Sequence, residues 1–137
     1  MAVMDPPIKQ FMTAQPHVIQ ASETVKKAQD LMVLHQIRHL PVMNPVKTDE
    51  IMGILSDRDI KVICCIAEAN PAKLLVKNVC HLHPYVVGPE TPLREVAKTM
   101  ARKRYGSAIV VQGSKPIGIF TTVDACQALT TVLSQAG

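Results

Sequence analysis

Apolar residues at Val25, Ala28 and Met32 recur at spacings of three and four, which predicts a helix packed along one face. The rhythm returns at Leu93, Val96 and Met100 and predicts a second. Ahead of each lies a short extended piece, HVI at 17–19 and YVV at 85–87. Behind each comes an apolar run (LPVM at 40–43, AIVV at 108–111), a turn rich in Asn, Pro, Lys, Gly or Ser, and another run (IMGIL at 51–55, PIGIF at 116–120). That is the pattern of two strands joined by a loop. A closing helix follows in each case, with Ile60 and Ile63 sharing a face of the first and Leu129, Val132 and Leu133 a face of the second. Pro71 requires the first to stop before it. Ser22 is the expected N-cap of the first long helix, and Thr91, with Pro92 at the first helical position, that of its counterpart.

The predicted order is therefore β-α-β-β-α, given twice. An offset of 68 sets residues 8–43 against 76–111 without a gap: Pro16 faces Pro84, Val25 faces Leu93, Met32 faces Met100 and Val42 faces Val110. The offset then drops to 65, because the loop NPVKTDEI is three residues longer than QGSKPI. Length changes of this kind belong in surface turns. The repeats are expected at 8–69 and 76–136, with residues 70–78 as their connection and Asn70-Pro71 as its punctuation. Two copies are too few for a solenoid, so they should close on each other as a pseudo-symmetric pair.

Composition narrows the function. The chain of 137 residues is 47% hydrophobic but only 3% aromatic, and it has no Trp. Val, Ile, Leu, Met and Ala must fill the core, and the scarcity of stacking platforms counts against single-strand nucleic-acid binding. A net charge of +4 from dispersed basic residues suits a small anion at least as well as a polyanion. No apolar run approaches the roughly 18 residues of a membrane span, and MAVMDPPIKQ lacks the apolar core of a signal peptide. A soluble, cytoplasmic protein is expected. Cys64, Cys65, Cys80 and Cys126 form no CxxC pair and read most simply as small core residues. Cys80, His81 and His83 in CHLHP read either as a metal cluster or as a turn before a strand.

The offset of 65 also sets GILSDRDI at 53–60 against GIFTTVDA at 118–125. Ser56-x-x-Asp59 and Thr121-x-x-Asp124 match a capping box at a helix start. The same geometry supports a nucleotide grip. A hydroxyl and free amides can meet a phosphate at the positive end of a helix, while an aspartate one turn in accepts from the two hydroxyls of a ribose. Gly53 and Gly118 would let a ligand lie close to the strand. Both readings stand on the sequence.

With RHLPVM and YGSAIVV as central strands and GILSDRD and GIFTTVD as a doubled G-h-h-[ST]-x-x-D signature, the chain resembles a tandem pair of CBS (cystathionine-β-synthase) domains, a Bateman module. The resemblance covers about residues 8–136 and implies an α/β (α+β) fold of two pseudo-symmetric repeats packed through their sheets. It further implies a regulatory module binding AMP or another adenosyl compound (ADP, ATP, S-adenosylmethionine) in two clefts between the repeats, with no cofactor required. Carried over residue by residue, one cleft would use Thr121 for phosphate and Asp124 for ribose, with Ile119, and would set adenine against Thr13, Pro16, His17 and Val18, with Arg38 and His39 at its edge. The other would use Ser56 and Asp59 with Ile54, Arg58, His81, Pro84, Tyr85, Val86, Gly106 and Ser107. The resemblance also implies disc-like homodimers formed through the helices, and a separate regulated chain, such as an enzyme or transporter.

The clefts are not chemically equal. His81 stands where the first repeat has Thr13, Gly106-Ser107 stands opposite Arg38-His39, and Arg58 stands opposite Val123. Arg102, Lys103 and Arg104 suit the negative end of a helix whether or not they also meet phosphates. His17 and His35 are similarly open. A structural or interaction module without ligand is the alternative to a sensor, followed by a nucleic-acid binder. No nucleophile elbow, P-loop or metal-ligand spacing points to an enzyme.

Overall fold

The two apolar rhythms fold into helices and strands in the predicted order, with one further two-residue strand, Thr13–Ala14 and His81–Leu82, ahead of each β-α-β-β-α set. The computed structural model describes residues 5–47 and 49–136. Its strands are β1 (Thr13–Ala14), β2 (Ile19–Gln20), β3 (His39–Met43), β4 (Ile51–Ser56), β5 (His81–Leu82), β6 (Val86–Val87), β7 (Ser107–Gln112) and β8 (Lys115–Thr121). Its helices are α1 (Val25–His35), α2 (Asp57–Ala67), α3 (Leu93–Lys103) and α4 (Thr122–Ala136), with single 3-10 turns at Ile8–Gln10 and Val76–Asn78. The fold is mixed α+β, with two four-stranded sheets.

The chain divides into two compact units. One is contiguous, His17–Pro84; the other is split, joining the segment that ends at Pro16 to the chain from Tyr85 onward. In the contiguous unit the sheet order is β2-β3-β4-β5, with β2 parallel to β3 and the rest antiparallel. The split unit repeats this as β6-β7-β8-β1. Each sheet is thus closed by a strand from the other repeat: Thr13 of β1 pairs with Ile119 of β8, and His81 of β5 pairs with Ile54 of β4.

The exchange extends beyond the strands. Leu93 at the start of α3 donates its amide to Pro6 O, and Ile8 donates to Thr91 O. At the matching positions Val25 donates to Leu74 O, and Val76 donates to Glu23 O. Ile8 and Val76, one residue from each exchanged segment, are both fully buried. Ile8 packs with Val96, Met100, Ala108, Val110 and Phe120, and Val76 with Val25, Ala28, Met32, Leu40 and Leu55. The aliphatic faces of α1 and α3 seen in the sequence are the faces that meet each sheet.

Local details depart from the sequence reading in instructive ways. Thr24, not Ser22, caps α1, accepting from Lys27 N at 3.2 Å. Pro92 itself occupies the N-cap position of α3, so Thr91 makes no cap there. In both cases the exchanged segment supplies a carbonyl to the first helical amide, from Leu74 to Val25 and from Pro6 to Leu93. Leu129, Val132 and Leu133 share a face of α4, but that face is exposed, and Ala128 is the buried member of this turn. The β7–β8 hairpin turns through Gly113 at φ +64°, a left-handed conformation that glycine accepts without strain.

Candidate functional site

Strand exchange brings one residue of each exchanged strand to the start of a helix in the other repeat. In the split unit Thr13 lies beside Ile119 in the ladder, and Ser107 lies beside Thr121. Thr13 Oγ1 donates to Asp124 Oδ1 at 3.1 Å. Asp124 Oδ2 accepts from the Thr121 amide at 2.9 Å and from Thr121 Oγ1 at 3.2 Å. Asp124 is 8% exposed, and three donors reach it.

The contiguous unit builds the same corner with different donors. His39 lies beside Ser56, and His81 beside Ile54. Ser56 and Asp59 form a complete capping box: Ser56 Oγ accepts from Asp59 N at 3.1 Å, and Asp59 Oδ2 accepts from Ser56 N at 3.4 Å. Asp59 Oδ1 meets His81 Nε2 at 3.0 Å. The doubled motif is therefore a full capping box in one unit. In the other it is half of one, because the Thr121 hydroxyl turns to the carboxylate instead of accepting an amide.

The glycines of the motif serve the strand exchange. A Cβ on Gly53 would fall on the backbone carbonyl oxygen of His81, and one on Gly118 would fall on the Met12 side chain. The close approach predicted for a ligand is taken by the incoming chain.

Of the residues assigned to the first cleft, Thr13, Pro16, Ile119, Thr121 and Asp124 belong to the split unit, and His17, Val18, Arg38 and His39 to the contiguous one. Of the second set, Ile54, Ser56, Arg58, Asp59, His81 and Pro84 belong to the contiguous unit, and Tyr85, Val86, Gly106 and Ser107 to the split one. Tyr85 lies 5.4 Å, ring to ring, from Tyr105, and its carbonyl accepts from Ile109 N. His17 stacks on His35 with ring centroids 3.6 Å apart. Val18 and Arg58 are exposed, and Arg38 offers its carbonyl to the Asp57 amide.

The sequence reading did not foresee the ring contacts of Tyr85 with Tyr105 and of His17 with His35, nor the contacts of Thr13 and His81 with the aspartates. The signal for the last was present, since Thr13 and His81 occupy one repeat position and Asp124 and Asp59 another.

Burial pushes the pKa of His39 below its usual value, against the opposing pull of Asp57 and Asp59. Burial likewise raises that of Cys80. Cys64 and Cys80 pack against the core as expected of small apolar residues, whereas Cys65 and Cys126 are exposed. Among the described residues no three His, Cys, Asp or Glu side chains cluster to hold a metal, and no helix is long and apolar enough to cross a membrane.

Chemically, each corner offers a carboxylate with room for further donors. An ionised carboxylate has about four lone-pair sites. Asp59 has two protein partners and Asp124 three, two of which are hydroxyls.

A family model described as "CBS domain" matches residues 8–63 and again 76–131. Inosine-5'-monophosphate dehydrogenase of Korarchaeum cryptofilum is 33% identical over 118 residues, which are 85% of this chain but only 22% of that enzyme. Among solved structures, a putative acetoin utilization protein (AcuB) from Vibrio cholerae superposes with a TM-score of 0.82 at 25% identity, covering 96% of this chain and 95% of that one. CBSX2, solved in complex with AMP, has the same fold, with a TM-score of 0.75 at 24% identity over 93% of this chain and 98% of its own.

Proposed function

The chain belongs to the CBS-domain family, with two copies in tandem, and we propose that it is a regulatory module that binds AMP or a related adenosyl ligand through Asp124 and Asp59. The observation that carries this reading is the doubled corner in which a helix start, a hydroxyl and a carboxylate with spare acceptor capacity stand together. A ribose brings two adjacent hydroxyl donors. Asp59 has two lone-pair sites to receive them, and Asp124 gains a second when the Thr121 hydroxyl turns from Oδ2 toward a phosphate. Phosphate and ribose binding are thereby coupled at Thr121. AMP in the fold-related CBSX2 makes adenosyl compounds the class to test first.

On this reading Asp124 and Asp59 are the ribose acceptors, Asp124 with Thr13, Ile119 and Thr121 of its own unit beside it and Asp59 with Ile54, Ser56 and His81 of its own. The module itself performs no chemistry; the Ser56 and Thr121 hydroxyls are engaged at the two helix starts. Its output passes to a regulated enzyme or transporter, and it works as a homodimer. Val33, Leu34 and Ile66 of the contiguous unit and Leu129 and Leu133 of the split unit are more than half exposed and supply apolar surface for such an interface.

Calorimetric and thermal-shift titration with AMP, ADP, ATP, GTP and S-adenosylmethionine tests the reading. Ligand at about 100 times its dissociation constant stabilises the native state by about 2.7 kcal/mol, a rise of roughly 7 to 11 °C for a domain of this size. Asp59→Ala or Asp124→Ala abolishes the rise contributed by its own site. The complete capping box at Ser56 favours a second reading, in which the motif serves only the helices. Absence of any adenosyl-dependent heat or shift, with both variants merely less stable, would select it.

A further inference from the structure

The two carboxylates differ in the donor that reaches them from the exchanged strand. At one repeat position Thr13 bonds Asp124 Oδ1; at the same position in the other repeat, His81 meets Asp59 Oδ1. We propose that His81 makes Asp59 a proton-gated acceptor: protonated, the imidazole holds Oδ1 and withholds it from the hydroxyls of a ligand, while Asp124, held by a threonine, is not gated. The proposal rests on the adenosyl-binding reading above and adds to it the regulation of one of its two sites.

A histidine is the side chain whose charge changes between pH 5 and 8, whereas a threonine hydroxyl keeps its proton throughout. With an imidazolium the contact becomes charge-assisted, and Oδ1 is held more firmly than by a neutral donor. With a neutral imidazole the contact is an ordinary hydrogen bond, or none at all in the tautomer that turns the Nε2 lone pair toward the carboxylate. A diol then competes for Oδ1 on equal terms. The charged and titratable groups beside this pair are Asp57 on α2, His39 in β3 with Arg38 before it, and Cys80 ahead of β5, with Arg58 and His83 next to Asp59 and near His81 along the chain. His81 is the group placed to exchange its proton with solvent, since its side chain is 71% exposed while that of Asp59 is 21% exposed. His39 is disfavoured as the proton's site by its own burial. No titratable group takes the corresponding place at Asp124, whose partners are Thr13 and Thr121.

Adenosine is the probe, because it carries the diol without a phosphate that an imidazolium would attract. In Asp124→Ala, or in Asp124→Asn should the alanine variant not fold, affinity is expected to fall about two- to fivefold from pH 8 to pH 5.5, the scale of an exposed ion pair. Adding His81→Thr flattens the profile. Thr13→His in an Asp59→Ala background transfers the fall to Asp124. A flat profile with His81 present, a rise toward low pH, or a fall that survives His81→Thr overturns the proposal. Binding to neither aspartate at any pH removes the adenosyl reading instead. The gate is then decided without ligand, by thermal unfolding of His81→Thr, Asp59→Asn and the double variant: coupling larger at pH 5.5 than at pH 8 supports it, and equal coupling rejects it.

Discussion

Asp59 and Asp124 sit at one repeat position, each at the first turn of a helix, yet they are held differently. Asp124 is nearly enclosed, and its partners are two threonines. Asp59 is more open; it completes a reciprocal cap with Ser56 and meets an imidazole. The helix start is thus common to both units, and its chemistry is set by the strand that crosses from the other repeat. The exchanged segments carry difference into a symmetric frame.

The largest expected effect that sharpens this comparison is at the motif glycines. Gly53→Ala drives a methyl onto the His81 carbonyl, a backbone atom fixed by its ladder, and should cost about 1 to 3 kcal/mol in urea unfolding. Gly118→Ala meets the flexible Met12 side chain and should cost less. Equal costs would mean that the two strands cross with the same tolerance.

Next come the hydroxyls. Ser56→Ala removes a true cap and should cost about 0.5 to 2 kcal/mol. Thr121→Ala leaves the amide bond from residue 121 to Asp124 in place and should stay within about 0.5 kcal/mol. A melting series on the two variants checks the order.

The smallest effect is a pH slope. Burial lowers the folded-state pKa of His39 below 6.5, so the unfolded chain takes the proton more readily. The stability linked to His39 is complete above about pH 6.5 and declines as pH falls toward the folded-state pKa. The matching position in the split unit is Ser107, which does not titrate. His39→Gln should therefore lose less melting temperature than wild type between pH 7.5 and pH 5.5; an unchanged difference would show that His39 is not the source.

The sequence carried the helices, the paired strands and the two motif aspartates because these follow from local periodicity and an internal offset. Val25, Ala28 and Met32 announce their helix within eight residues of chain. The exchange was not legible, since β1 and β5 are two residues each and their partners lie far along the chain: Thr13 pairs with Ile119. Without that pairing Gly53 and Gly118 looked like room for a ligand, and the capping boxes looked alike. Ser22 and Thr91 looked like caps for the same reason, because the carbonyls that meet α1 and α3 come from Leu74 and Pro6.

The same crossing bears on how the protein is made. Residues 17–84 contain every strand of one sheet, so that unit can close while the ribosome is still adding the second repeat. The other unit cannot. Its first strand must wait, unpaired, until β8 has emerged more than a hundred residues later, a long-range closure of the kind that slows folding. Synthesis from one end therefore gives the two halves different histories: the half that holds Asp59 is born early, and the half that holds Asp124 is completed last.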